Sequence, residues 1–237
     1  MIMKYLLITL FSAFSLHSFS QTVINDKNVE VRNASAFSGI KVSGAIDVYL
    51  SQSDTYAVAV SADEEKYRDN INTEISNGVL HISFNNSGLR FNGDKHLRVY
   101  ISFKNLQSIE ATGASDIIIS DRLKISDLKL RLSGASDITG NVSIGNLLLD
   151  LSGASTVKIK GETTNLKIDA SGASDVKNYG LVAENCIADI SGASDVRITV
   201  TKSISAKASG ASNLYYRGNP ERKDVSSSGA SNISQRD

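Results

Sequence analysis

The sequence predicts an all-β chain whose C-terminal part is a parallel β-solenoid of about 19 residues per coil, with an N-terminal β-sheet region packed on the first coil. Three observations predict it. A glycine-centred tetrapeptide recurs at a near-constant interval. Apolar residues stand at fixed distances from each of those glycines. The composition is that of strands and turns: Val, Ile, Leu, Ser, Thr, Asn and Gly are prominent, Pro occurs once and Trp is absent.

The repeat comes first, because a fixed period defines the architecture. Ser-Gly-Ala-Ser occurs at 133–136, 152–155, 171–174, 191–194, 209–212 and 228–231, and Thr112-Gly113-Ala114-Ser115 is a seventh copy. Ser43-Gly44-Ala45-Ile46 is a degenerate copy in the N-terminal half. The corner glycines Gly113, Gly134, Gly153, Gly172, Gly192, Gly210 and Gly229 are separated by 21, 19, 19, 20, 18 and 19 residues.

Six residues before the glycine stand Leu128, Leu147, Leu166, Cys186 and Ile204. Four before it stand Leu130, Leu149, Ile168, Ala188 and Ala206, and two before it Leu132, Leu151, Ala170, Ile190 and Ala208. Polar residues such as Lys129, Arg131, Asp150, Lys167 and Asp169 fill the alternate positions. This period-two pattern is that of a strand with one buried face. A second inward column follows the corner at Ile117, Ile138, Val157, Val176, Val196, Leu214 and Ile233. One short strand cannot bury its apolar face alone; stacking equivalent strands ~4.8 Å apart turns each column into a continuous core. Cys186 lies in such a column and reads as a small buried hydrophobe. In the last copy the inward columns become Lys223, Val225 and Ser227, a polar coil that caps the stack.

Three segments follow. Residues 1–20 form a secretory leader: Lys4 supplies the positive start, Tyr5 to Phe19 the apolar run, and Ser18 and Ser20 the small residues before a cleavage point at Gln21. Residues 21–110 form the N-terminal β region, with alternating runs at Ile40-Lys41-Val42, Val58-Ala59-Val60, Leu80-His81-Ile82 and Leu97-Arg98-Val99. The clusters Ser76-Asn77-Gly78 and Asn92-Gly93-Asp94 mark turns, and residues 63–70 form a short helix or a loop. Residues 111–237 form the repetitive β-helix with its polar cap. The leader places the protein in the periplasm, on the outer-membrane surface or outside the cell, and no later stretch is apolar enough for a membrane span.

Without the leader, 24 Lys and Arg face 25 Asp and Glu, a net charge of about −1. That balance excludes the concentrated basic face a nucleic-acid binder needs. A single cysteine leaves no internal disulfide.

Two stretches, Phe37-Ser38-Gly39-Ile40-Lys41-Val42-Ser43-Gly44-Ala45-Ile46-Asp47-Val48-Tyr49-Leu50 and Leu97 to Ile109 leading into Gly113-Ala114-Ser115-Asp116-Ile117, carry a resemblance. With the glycine corners that follow, they resemble the auto-transporter adhesin head GIN domain family of bacterial exported proteins. The family's usual corner is Gly-Ser-Gly-Asp or Gly-Ser-Gly-Asn, where this chain has Gly-Ala-Ser-Asp. The resemblance implies a right-handed, single-stranded parallel β-helix of the pectin-lyase type without the lyase's catalytic residues. It also implies a role in adhesion.

The column three residues after the corner glycine holds Asp47, Asp116, Asp137, Thr156, Asp175, Asp195, Asn213 and Asn232. Stacked carboxylates repel one another unless compensated. A Ca²⁺ ladder on Asp116, Asp137, Asp175 and Asp195 would compensate them. The alternative is local: Asp, Asn and Thr all accept hydrogen bonds from turn N–H groups, and Thr156, Asn213 and Asn232 keep the acceptor without the charge. No cofactor is otherwise implied.

The repeated serines lack a nucleophile elbow. The only histidines after the leader, His81 and His96, fall at outward strand positions as solvated residues. No catalytic residue is assigned. A β-helix enzyme acting on carbohydrate would need carboxylates clustered in a cleft, and the charges here form repeated rows. Tyr179, Tyr215 and Tyr216 are the aromatic hint of sugar stacking, against packing beneath the cap. The chain thus reads as a non-catalytic envelope protein that binds a glycan or protein ligand at the cell surface. Self-association into a homo-oligomer is the structural alternative, and a carbohydrate-active enzyme the third.

Overall fold

The computed structural model describes residues 26, 28–88 and 95–237. The secretory leader and the Asn92-Gly93-Asp94 turn lie outside the described residues. The described strands join in one sixteen-stranded sheet.

The repetitive part is a parallel β-solenoid. Strands β9 (Asp116–Leu132), β10 (Asp137–Leu151), β11 (Thr156–Ala170), β12 (Asp175–Ile190) and β13 (Asp195–Ala208) each wind through a whole coil between corners. The next coil is split into β14 (Asn213–Arg217) and β15 (Arg222–Ser227), and β16 (Asn232–Gln235) ends the stack. Register is parallel and coil-by-coil: Leu147 lies between Leu128 and Leu166, and Ile138 between Ile117 and Val157.

Each coil has three inward-lined sides. In β9 these are Ile117 and Ile119 after the corner, Leu123 and Ile125 past a first bend, and Leu128, Leu130 and Leu132 before the next corner, all buried. Burying one such side chain contributes ~1.5–3 kcal/mol, so the stacked columns supply the bulk of the stabilisation.

The N-terminal strands extend this stack. They are β1 (Glu30–Arg32), β2 (Gly39–Gly44), β3 (Asp47–Gln52), β4 (Ala57–Ser61), β5 (Ile71–Ser76), β6 (Val79–Phe84), β7 (Arg98–Phe103) and β8 (Ser108–Gly113). The degenerate copy Ser43-Gly44-Ala45-Ile46 is a corner of the same column: Gly44 pairs with Gly113, and Asp47 with Asp116. One inward column therefore runs Leu80, Ile40, Ile109, Leu130, Leu149, Ile168, Ala188, Ala206, Val225. Antiparallel strands finish the N-terminal end: β5 on β6, β4 on β7 and β1 on β4. The predicted turn at Ser76-Asn77-Gly78 joins β5 to β6, with φ of 51° at Asn77 and 73° at Gly78, the pair of positive angles a tight hairpin requires. Between residues 63 and 70 the chain forms a one-turn helix, α1 (Glu65–Arg68), which buries Tyr67.

The corners fix the stacking. Each corner alanine N–H donates to the glycine carbonyl of the preceding coil, from Ala114 on Gly44 at 2.8 Å, through Ala154 on Gly134 at 2.7 Å, to Ala230 on Gly210 at 2.8 Å. The glycines sit at positive φ; Gly153 has 72°. A Cβ on Gly153 would lie 2.4 Å from the Gly134 carbonyl oxygen, so the conformation and the coil spacing both exclude a side chain.

The serine that ends each corner is fully buried from Ser115 to Ser212 and half-buried at Ser231, in the last coil. Its hydroxyl donates to the carbonyl three residues back: Ser155 to Ser152 at 2.9 Å, Ser174 to Ser171 at 2.9 Å, Ser212 to Ser209 at 2.8 Å. Ser194 is the exception, a buried hydroxyl without a partner.

Two outcomes follow for stability. Gly153→Ala should cost about 3 kcal/mol or more in chemical denaturation, whereas Gly88→Ala, at φ 77° with open space around it, should cost only ~1–2 kcal/mol from conformation alone. Ser174→Ala should cost about 1 kcal/mol through the lost hydrogen bond, and Ser194→Ala should be neutral or stabilising; equal costs at the two serines would remove the corner hydrogen bond as the cause.

Candidate binding surface

Because the inward columns are apolar, function is left to the outward columns, which parallel stacking turns into ladders of like groups. Three stand out.

The first is the aspartate column at the start of each coil. Asp47, Asp116, Asp137, Thr156, Asp175, Asp195, Asn213 and Asn232 are in register across eight coils. Their compensation comes from the next outward column. Lys158 Nζ lies 3.0 Å from Asp137, Lys177 Nζ 2.8 Å from Asp175, and an Arg197 guanidinium nitrogen 3.7 Å from Asp195. Asn213 also donates to Asp195 at 2.9 Å. The hydrogen bond that closes the turn is the one the corner serine donates to the carbonyl three residues back. The aspartate and asparagine side chains instead reach along the outer wall.

A Ca²⁺ ladder on Asp116, Asp137, Asp175 and Asp195 needs several oxygens converging on one point. Asp137, Asp175 and Asp195 already face cations. Among the described residues no group of three His, Cys, Asp or Glu side chains is placed to hold a metal ion. At the N-terminal end the charges are less well compensated: burial and the neighbouring Asp47 and Asp137 carboxylates push the Asp116 carboxyl above the usual carboxylate range, with Lys158 opposing.

The second ladder was missed from the sequence. Asn146 donates to Asp127 at 2.7 Å, Asn165 to Asn146 at 2.8 Å, Asn185 to Asn165 at 3.1 Å, and Ser203 to Asn185 at 2.8 Å. The signal was available: asparagine stands seven residues before the corner glycine in three successive coils, one place beyond the apolar columns. Beside this ladder runs the outward column Lys129, Leu148, Lys167, Ile187. Together they line a shallow groove of about 460 Å³, open to solvent, in which Ile187 is 57% exposed.

The third cluster lies where the repeat degrades, near the C-terminal end. Tyr216 points inward and is buried, as packing beneath the cap requires. Tyr179 and Tyr215 do not: they lie on the outer wall, with Arg217 over Tyr179 at 4.3 Å and Arg236 over Tyr215 at 4.6 Å.

The remaining candidates are dispersed. Cys186 is buried, and burial pushes its thiol up to about 12, so it offers no thiolate. His81 is exposed on β6, opposite Glu74 and Lys41. His96 precedes β7 instead of lying within a strand; its φ is 37° and its Nδ1 is 2.6 Å from Asp63. No helix among the described residues is long and apolar enough to cross a membrane.

The model of the family described as "Putative auto-transporter adhesin, head GIN domain" matches residues 36–220. A comparison with curated proteins gives no match. Solved structures with the same fold include a "putative adhesin" from Bacteroides fragilis NCTC 9343, with TM-score 0.80 and 21% identity over 89% of this chain and 98% of that one. A "putative lipid binding protein" from Parabacteroides distasonis ATCC 8503 has TM-score 0.67 and 20% identity, over 88% and 97% of the two chains. A "putative adhesin" from Parabacteroides merdae ATCC 43184 has TM-score 0.64 and 19% identity, over 89% and 96%.

The charge of Asp116 makes a pH-dependent outcome. A carboxyl whose folded pKa is raised destabilises the fold once it ionises, so its cost is absent below the unfolded pKa and develops as pH rises through the folded value. Asp116→Asn should raise Tm at pH 7 by on the order of 1 °C. The gain should vanish below the ordinary aspartate range of ~3.9. A variant that loses stability at pH 7 would show the carboxylate to be compensated.

Proposed function

The chain belongs to the auto-transporter adhesin head GIN domain family, and from that membership we propose that it is a non-catalytic binding module, exported to the cell envelope, that holds a glycan or protein ligand on the outer wall of its solenoid. The observation that carries this reading is the groove beside the asparagine ladder. Lys129 and Lys167 alternate there with Leu148 and Ile187 at the coil spacing, and the ladder leaves its floor hydrogen-bonded and rigid. A flat, preformed surface with exposed apolar and cationic groups loses little entropy on binding.

The leader at residues 1–20 supports export, and the buried thiol and dispersed histidines support a binding role over a catalytic one. The test is an array of envelope glycans and matrix proteins probed with residues 21–237, with and without Ca²⁺, in parallel with Leu148→Ser/Ile187→Ser. Specific retention that the double variant reduces at least ten-fold is expected. Retention unaffected by the variant would move the ligand off this wall, and no retention on any array or on whole cells would overturn the binding role.

A further inference from the structure

The cations of the regular coils are largely matched by carboxylates: Arg122 by Glu162, Arg131 by Asp150, Lys158 by Asp137, Lys177 by Asp175, Lys202 by Glu184. In the last coils this matching stops. Among the described residues no carboxylate pairs with Arg217 or Arg236. The two arginines are neighbours on one outward column. Gln235 is in register with Tyr216, and the Arg236 N–H donates to the Tyr216 carbonyl at 2.8 Å, which sets Arg236 alongside Arg217 on the next coil. Their backbones lie one coil apart, ~4.8 Å, and their guanidinium groups rest over the rings of two different coils, so two cationic heads stand along one wall.

The pair is held in place. Arg217 stacks over Tyr179, whose carbonyl is fixed by the Thr199 hydroxyl at 2.7 Å; Thr199 is itself in register with Arg217. Arg236 stacks over Tyr215, and Arg197, in register with Tyr215, approaches the same ring at 5.8 Å. A guanidinium laid on a phenol ring keeps its N–H edge free for bidentate contact with a carboxylate or sulfate, and the ring removes the side-chain freedom that binding would otherwise cost.

We infer that Arg217 and Arg236, seated on Tyr179 and Tyr215, form an anion-binding site for an acidic polysaccharide, its carboxylate or sulfate groups bridging successive coils. This goes beyond the ligand-neutral reading of the groove and lies on a different wall. The neighbouring Asp175 and Asp195 carboxylates decide against a nucleic acid. A nucleic acid carries an obligatory phosphate at every nucleotide, ~3.4 Å of duplex axis apart on each strand, and would set charges against that acidic column, while a glycan with a single charge on each sugar spaces them more widely.

The experiment is calorimetric titration of residues 21–237 with polygalacturonate, chondroitin sulfate and neutral dextran at two salt concentrations. Binding to one or both charged polymers, weakened by salt and absent with neutral dextran, is expected. Arg217→Gln/Arg236→Gln should weaken it at least ten-fold, and Tyr179→Leu/Tyr215→Leu several-fold with no change of charge. Lys207→Gln, on the wall of the groove, should stay within two-fold. Thermal denaturation checks that each variant remains folded. No binding to either charged polymer, equal binding by the arginine variant, or tighter binding of single-stranded DNA than of either glycan would overturn the site. Because the groove variant Leu148→Ser/Ile187→Ser leaves these arginines intact, the two readings fail separately.

Discussion

Every other feature of this molecule hangs on one contact, the hydrogen bond from each corner alanine N–H to the glycine carbonyl of the coil before it. At 2.7–2.8 Å from Ala114 to Ala230, it forces the corners into a straight column. A corner glycine with a Cβ would meet the carbonyl below at 2.4–3.0 Å, so the coils can approach this closely only because the residue is glycine in a left-handed conformation. Once corners coincide, residues at equal distances from the corner must coincide too. The Leu/Ile columns then become one core, and the outward residues become ladders. The length of the connecting strand is less constrained, which is why spacings from 18 to 21 residues coexist in one stack: the irregularity is absorbed as register shifts in the middle of the coil, such as those between Lys177 and Val182 or Thr139 and Asn141.

How much of this was legible in the sequence depends on whether a feature repeats. The period, the corner glycines, the inward columns and the place of Cys186 all follow from aligning copies, and the structure has them. The first corner was harder to place. Between Gly44 and Gly113 the chain inserts β4 to β7, whose antiparallel pairings interrupt the parallel winding. A period search sees 69 residues where the backbone sees the next coil. The corner chemistry was assigned to the conspicuous aspartate, whereas the hydroxyl that closes the turn belongs to the serine before it, one position inside the wall. A small hydroxyl at a crowded corner can be read as a space requirement or as a donor, and only the geometry separates the two. The asparagine ladder escaped for the opposite reason: one asparagine per coil is unremarkable until its neighbours are known to lie 2.7–3.1 Å away. The pairing of Arg217 with Tyr179 skips a coil altogether, and no local pattern announces a contact of that kind.

The ladders show how a repeat handles charge. A row of carboxylates at coil spacing is self-repelling. This chain limits the repulsion in two ways: it replaces the acid by Thr156, Asn213 and Asn232, and it sets Lys158, Lys177 and Arg197 beside the acids that remain. Neither device is applied evenly. Asp47, Asp116 and Asp137 follow one another in adjacent coils with Lys158 opposing at one end only, while Arg217 and Arg236 follow one another without an acid. The wall is therefore acidic toward its N-terminal end and basic toward its C-terminal end, although the whole chain is nearly neutral. Such a gradient along a stiff rod acts on a charged polymer before contact: it draws the anionic chain to the basic end and repels it from the other, within the ~8 Å screening length of physiological salt. An outward wall built by repetition can offer a long ligand many equivalent places to lie. The break in the repeat at the last coils distinguishes one of them.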